Sequence, residues 1–390
     1  GGSEKIEGRE QILNCWNHAG HGSETTAQAL QKSCNIAFAH IGLRTGGGTL
    51  YDYCRAFGLM EQTGIDLPGE ASPQYYKEKQ YGIVELSSAS FGQTNSLTPI
   101  QVCTGLCAIA NGGTLLKPYV VSEVRDADGK VVQKNSRTAV RQVISEDTSK
   151  KVCKMMKAVV DEGTGKNGYV AGYRVGGKTG TSTKLGESAA GEKDKYIVSF
   201  AAIAPSDDPQ IAMLIIVDEP NEDLGGGALC APIASQVVEQ AMTELGVEPV
   251  YTDSELSALS TAVPSVTGKT VENAKSTLSE QKYKYKVVGS GKIVVAQSPS
   301  GNDVIPSGGT VWLYTESGKE KKVKVPNFTG CSVSEAKALA QAHNLNIEIT
   351  GNDLSSGNVK AYRQSEKQGS MVAQGKVVVV SFKNTESVLD

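Results

Sequence analysis

The stretch Val175-Gly176-Gly177-Lys178-Thr179-Gly180-Thr181-Ser182 decides how the middle of this chain is read. It closes an extended segment, 173–178, and two aliphatic runs follow it at 196–204 and 211–217. The three read as sequential antiparallel strands, joined by a charged loop, 184–195, and by a turn at 205–210. Side chains alternate along a strand, so Lys178 and Gly180 share one face while Thr179 and Thr181 take the other face or the exposed edge. Lysine supplies a point positive charge, the threonines offer hydroxyls to a carboxylate, and glycine lets a ligand or a neighbouring backbone come close. Taken alone, Lys-Thr-Gly also fits an ordinary turn at a strand end.

Helical signals surround this strand set. Thr25 stands three residues before Gln28 as a capping box requires, and an apolar helical run from Ala29 to Ile41 is broken by Ser33-Cys34-Asn35. A glycine-rich turn, 46–48, precedes a helical segment at 50–57, and 98–111 is a strongly apolar helix ended by Asn111-Gly112-Gly113. Residues 118–124 read as a strand, with a hairpin turn at 126–129; 149–160 and 231–245 read as helices. These elements predict an α+β domain over 1–245, a helix-covered antiparallel sheet rather than a doubly wound one. No glycine-rich phosphate loop follows a strand, so nucleotide binding has no support.

The chain's 39 Lys and Arg against 42 Asp and Glu exclude a strongly basic nucleic-acid binder. The seven-residue aliphatic run at 211–217 falls far short of the roughly 20 residues of a membrane span. The chain opens on Gly1-Gly2-Ser3, which reads as an excised piece whose targeting segment has been removed. The eight cysteines form no C-x-x-C pair and no Cys/His cluster at metal spacing, so no metal or cofactor is expected; Cys103 and Cys107 read as small packing thiols. Residues 1–262 carry 23 basic and 31 acidic side chains, whereas 263–390 carry 16 and 11, so a slightly basic tail follows an acidic body.

The tail repeats itself. After a polar linker, 246–262, Val263-Pro264-Ser265-Val266-Thr267-Gly268 recurs as Val325-Pro326-Asn327-Phe328-Thr329-Gly330, and each copy continues with a helix and three strands. Two small α/β domains in tandem, 263–318 and 325–384, are the expectation. Trp312 and Tyr314 are placed in the first copy only, opposite Val378 and Val380 of the second, so no shared aromatic sugar platform is read.

Ser33 and Asn35 are the second polar signal. Polar groups inside an apolar helix need partners, and residues two apart diverge on a regular helix. Pointing both into one cleft requires a loop or a helix start at this place. The structural alternative is local side-chain-to-backbone hydrogen bonding. His21 and Cys34 are read as structural and packing residues, and Asp66 and Glu70 as turn carboxylates rather than a glycosidase pair.

With Ser33-Cys34-Asn35 and Lys178-Thr179-Gly180-Thr181 in view, the chain resembles the transpeptidase domain of a class B penicillin-binding protein. Gly20-His21-Gly22, Thr63-Gly64-Ile65-Asp66-Leu67-Pro68-Gly69-Glu70 and Gly92-Gln93-Thr94-Asn95-Ser96-Leu97-Thr98-Pro99 add to the likeness, and the repeats resemble PASTA domains. The Cys15-Trp16 and Ser33-to-Phe38 stretches are similar to those of sporulation-specific members. The family's nucleophilic S-x-x-K is missing before Ser33; it occurs only at Ser279-Glu280-Gln281-Lys282 and Ser334-Glu335-Ala336-Lys337, inside the repeat helices. The resemblance therefore implies a nucleophile on an upstream segment absent here, and a fragment inactive alone.

What the resemblance further implies is peptidoglycan D,D-transpeptidation. The upstream serine attacks the penultimate D-Ala carbonyl of a stem peptide, D-Ala leaves, and a second stem's amine resolves the acyl-enzyme. Ser33 relays a proton, Asn35 orients the substrate amide, and Lys178 with Thr179 and Thr181 favours the carboxylate of the stem or of a β-lactam. The Thr181 N–H is an oxyanion donor and Gly180 keeps the strand edge clear. Implied partners are stem peptides, β-lactams and a membrane glycosyltransferase, at the extracytoplasmic face of a bacterial membrane. The competing reading is a non-catalytic wall-binding or protein-binding module built on the repeats.

Overall fold

The computed structural model describes residues 2–184, 195–222, 224–252, 254–255, 260–306, 308–351 and 359–384; most of the charged loop expected at 184–195 lies outside the described residues. The chain divides into two compact units, Gly1–Val170 with Arg174–Ala241, and Ala171–Tyr173 with Met242–Asp390. The first unit runs β1 (Ser3–Glu4), β2 (Leu13–Asn14), α1 (Thr26–Lys32), α2 (Asn35–Thr45), α3 (Gly47–Ala56), α4 (Ile83–Ala89), α5 (Pro99–Ala110), β3 (Thr114–Leu116), β4 (Glu123–Arg125), β5 (Val131–Lys134), β6 (Ala139–Gln142), α6 (Glu146–Asp161), β7 (Gly176–Thr183), β8 (Tyr196–Ala204), β9 (Ile211–Asp218) and α7 (Gly226–Glu244), the last reaching the unit boundary.

Strands β7, β8 and β9 form the central sheet in that order, antiparallel throughout, with β7 at the edge. Alternation along β8 assigns the two layers. Ile203 and Ala201 pack with Leu106, Cys153 and Met156 of α5 and α6. Val198 and Phe200 turn the other way, where the Cys230 thiol of α7 meets the Val198 carbonyl at 3.5 Å and the Phe200 ring fills the space that a Cβ at Gly177 would need. Burying each of these large side chains is worth roughly 1.5–3 kcal/mol, so the sheet is fixed from both faces.

Several local expectations shift. Lys178 is the third of eight residues in β7 rather than the end of an extended segment. Segment 118–122 is not a strand, because the N–H groups of Val120 and Val121 donate to Asp66 carboxylate oxygens at 2.7 and 3.0 Å instead of to a neighbouring strand; only Glu123–Arg125 is extended, in the expected hairpin with β5. Helix α3 starts at Gly47, within the glycine turn. Helix α6 starts at Glu146 because Ser145 caps it, its Oγ accepting from Thr148 N at 3.2 Å. The expected Thr25–Gln28 capping box is present on α1.

In the second unit each repeat has one helix, Val271–Glu280 or Val333–Ala342, and a three-stranded sheet. The last strand of each sheet, Thr310–Tyr314 or Val377–Asn384, lies in the middle, parallel to the first and antiparallel to the second. Small antiparallel pairs, Ser260–Ala262 with Val304–Pro306 and Lys322–Lys324 with Met371–Ala373, complete the pattern. The stretch read as a linker thus contributes a strand, and its Tyr251 is buried in one cluster with Val325, Phe328 and Phe382.

A glutamine closes each Val-Pro-x-x-x-Gly opening. Gln297 accepts from Val266 N at 2.7 Å and donates to the carbonyls of Pro264 and Pro299; Gln364 accepts from Phe328 N at 2.8 Å and donates to those of Pro326 and Glu366. The sheet registers correct the aromatic alignment by one residue. Tyr285 pairs with Val311 and Ile347 with Val378, so Val378 and Val380 match the buried Val311 and Leu313, while Trp312 and Tyr314 match Val379 and Ser381. A one-residue slip exchanges the two faces of a strand. Trp312 and Tyr314 are themselves buried.

Candidate functional site

A cleft of about 620 Å³ opens along the edge of β7 and brings together Ser33, Asn35 and Lys178–Thr181. The break between α1 and α2 explains how Ser33 and Asn35 reach it. Ser33 ends α1 in the left-handed region at φ 53°, ψ 52°, Cys34 precedes α2, and Asn35 is its first residue. The left-handed residue costs roughly 1–2 kcal/mol for a side chain other than glycine, a strain that surrounding packing must hold.

Lys178 lies on the α5–α6 side of the sheet and spans 145 residues of sequence to donate to Ser33 Oγ at 2.8 Å; it also donates to the Thr179 carbonyl at 2.7 Å. Burial pushes its ammonium down to about 8 from the ordinary lysine value. Since Ser33 Oγ accepts from Lys178, the hydroxyl proton of Ser33 is left to donate elsewhere. Thr179 faces the α7 side, where its Oγ1 meets Thr164 Oγ1 at 2.9 Å, so this hydroxyl already has a protein partner; Thr181 is exposed. Asn35 Nδ2 donates to the Asn14 carbonyl at 3.2 Å.

An added Cβ on Gly180 would stand 2.4 Å from Ser199 Oγ on β8, a contact that rotation of the serine hydroxyl can relieve. Gly226 and Gly227 are constrained far more firmly, because a Cβ on the first would fall 2.0 Å from the Ser199 backbone carbonyl oxygen and on the second 2.3 Å from that of Thr164. These α7 glycines line the cleft with Thr164, Lys166, Asn167, Trp16, Phe91 and Gln93, which the sequence reading missed as site residues. The Gly225-Gly226-Gly227 run, at the start of α7, was the available signal.

Behind Ser33 the fold assembles a cluster that sequence spacing hides. The ligand atoms of Cys15, His21 and Cys34 lie within 4.8 Å of one another, with Cys15 Sγ 3.7 Å from His21 Nδ1 and Glu24 Oε1 3.9 Å from the same nitrogen. Two thiols and an imidazole suit a thiophilic divalent cation, so the expectation of no Cys/His cluster is corrected: residues 6 and 13 apart in sequence converge through the β2–α1–α2 turns. Burial pushes the Cys34 thiol up to about 11, which opposes a nucleophilic role. Asp66 is held by the N–H groups of Val120 and Val121, and Glu70 by the N–H groups of Thr63 and Gly64, as loop carboxylates. Ser279 and Ser334 lie in the repeat helices of the second unit. A larger depression, about 880 Å³, lies between α5, α6 and residues 206–209 but holds none of the sequence-selected polar groups.

The penicillin binding protein transpeptidase domain matches residues 3–239, more than half of the chain. The chain belongs to the penicillin-binding protein transpeptidase family. PASTA domains match residues 261–317 and 323–384. Stage V sporulation protein D of Bacillus subtilis is 37% identical over 328 residues, 82% of this chain and 50% of that protein. PbpB of Mycolicibacterium smegmatis is 31% identical over 252 residues, covering 61% of this chain and 39% of its own length. Family membership extends to solved structures: penicillin binding protein 3 of Mycobacterium tuberculosis complexed with aztreonam superposes with a TM-score of 0.58 at 28% identity, covering 64% of this chain and 57% of that one. The chain spans about half or less of the length of these curated relatives.

Proposed function

We propose that this chain carries the C-terminal part of the transpeptidase domain of a peptidoglycan D,D-transpeptidase together with two PASTA domains, with Ser33, Asn35, Lys178 and Thr181 acting in acyl transfer and Thr179 and Gly180 shaping the substrate strand. The observation that carries the reading is the Lys178–Ser33 hydrogen bond of 2.8 Å in a cleft along an edge strand. An upstream serine, activated by its own lysine, attacks the penultimate D-Ala carbonyl; D-Ala leaves and a second stem's amine resolves the ester. Ser33, accepting from Lys178, has its proton free to pass toward the leaving amine, and Lys178 sets the positive field for the terminal carboxylate. Thr181 N–H serves as an oxyanion donor. Thr179, engaged with Thr164, supports the strand rather than the ligand.

The same proposal divides the chain into 1–245, a connecting stretch 246–262, and PASTA domains at 263–318 and 325–384. It includes β-lactam acylation, a membrane glycosyltransferase partner and an extracytoplasmic, membrane-anchored location; no helix among the described residues is long and apolar enough to cross a membrane. A sporulation role is favoured by the identity to stage V sporulation protein D, which extends over 82% of this chain.

The test uses a protein extended upstream through an S-x-x-K segment. Lys178→Ala should slow acylation by labelled penicillin about 10²–10³-fold in stopped flow while the unit keeps its thermal melt. Normal acylation with a lowered melting temperature would leave Lys178 a structural lysine.

A further inference from the structure

Two lysines, Lys166 and Lys178, are the charged residues lining the cleft among the described residues, and no carboxylate joins them. They differ in state. Lys178 is half-buried and already donates to Ser33 and to the Thr179 carbonyl. Lys166 is exposed, and its ammonium has no salt-bridge or hydrogen-bond partner among the described residues.

The backbone beneath Lys166 is fixed from both sides. Thr164 holds Thr179 of β7 through their hydroxyls at 2.9 Å, and its N–H donates to the Gln31 carbonyl of α1 at 3.2 Å. Asn167 Nδ2 donates to the Gly227 carbonyl of α7 at 2.9 Å, and the Lys166 carbonyl itself accepts from Tyr169 N at 3.2 Å. A long cationic side chain thus rises from a pinned base into a cleft whose Trp16, Phe91 and Gln93 lining is uncharged. A lysine kept only for solubility needs no such anchoring, and this one has no acidic neighbour in the cleft to neutralise it.

We propose that Lys166 is a specificity residue that recognises a second carboxylate of the peptide substrate, one carried on a residue before the terminal pair, so that the site prefers stems in which this group is a free acid rather than an amide. The inference rests on the stem-peptide reading of the cleft. The chemistry is that of a peptide diacid: the terminal carboxylate goes to the Lys178–Thr181 strand and the second anion to Lys166. An exposed charge pair is worth at most about a factor of five in affinity and weakens with salt, which sets the size of the preference.

The experiment titrates the chain with soluble peptides ending in D-Ala-D-Ala, followed by NMR line shifts. One peptide carries free acids on its second and third residues; two others are amidated at one or the other position, which tells the two sources of the anion apart. Wild-type protein should bind the diacid about three- to fivefold more tightly than one of the amides, with the gap closing at high salt. Lys166→Gln should shrink the gap below about twofold, and Lys166→Arg should keep it. A gap that survives Lys166→Gln, or a wild-type protein that binds free acid and amides alike, overturns the proposal while leaving the stem-peptide site standing. Failure of wild-type protein to bind any of the peptides overturns both, and Lys178→Ala, which should weaken all three peptides together, shows whether the observed binding is in this cleft. Thermal melts of the Lys166 variants check that the exposed substitution leaves the fold intact.

Discussion

The cleft in the first unit and the glutamine staples in the second use partly buried polar side chains in opposite ways. Gln297 and Gln364 have their amide oxygen and nitrogen engaged by backbone groups of their own repeat. Lys178 and Ser33 meet each other instead, leaving the serine's proton uncommitted on a residue held in a left-handed conformation. A saturated polar group stabilises one backbone arrangement; a partly saturated one retains a capacity that a ligand can use. The difference teaches where stability and chemistry have been separated along this chain.

The largest expected effect tests whether the cleft lysine is a cost to folding. Its depressed pKa means that the folded unit binds the Lys178 proton less readily than the unfolded chain does. The penalty is therefore complete below about pH 8 and fades as pH rises toward the ordinary lysine value. Lys178→Met should accordingly stabilise the first unit at pH 7 by about 2–3 kcal/mol, less the value of the lost Ser33 contact, with the gain over wild type narrowing between pH 8 and 10. Paired urea denaturation at several pH values checks it; a destabilised variant with no pH-dependent gap would make Lys178 a structural residue like the glutamines.

Gln297→Ala sharpens the other side of the contrast. It strands the Val266 N–H and two carbonyls, and should cost the first repeat about 2–3 kcal/mol. Gln364→Ala should cost the second repeat a similar amount. Hydrogen exchange at the Val266 and Phe328 amides reports each repeat separately, and a change under about 0.5 kcal/mol would remove the staple from the account.

Ser33→Gly separates strain from chemistry at a single residue. Glycine relieves the left-handed backbone, so the melt should rise or hold, by up to about 1 kcal/mol, while acylation in the upstream-extended protein falls at least about tenfold for want of the hydroxyl. A fall in both would mean that the hydroxyl is held for folding.

The smallest effect concerns Lys286, whose ammonium stands 5.6 Å from the centroid of the Trp312 ring. Lys286→Ala should cost about 0.5–1 kcal/mol in the first repeat by chemical denaturation, and no change would mark it as a solvated edge lysine.

The sequence made legible whatever depends on short-range pattern. The aliphatic runs of β8 and β9, the apolar length of α5, the Thr25–Gln28 cap and the repeated Val-Pro-x-x-x-Gly openings all report local geometry, and all form as read. Segment 118–122 was misread because its apolar residues look extended while their N–H groups are taken by Asp66, a partner more than 50 residues away. The Trp312 alignment slipped by one because the second copy gains residues between its strands, and only strand pairing counts them.

Sequence by itself determined the family, the repeat architecture and the two polar motifs, because each is a pattern of neighbours whose residue types carry the information. Tertiary structure decided that Ser33 meets Lys178, that Thr179 turns to Thr164, that Gly226 must be glycine because the Ser199 carbonyl stands against it, and that Cys15, His21 and Cys34 converge. The physical reason is that a contact across 145 residues has no local signature: it exists only once the sheet and the α1–α2 break fix the directions in which those side chains point.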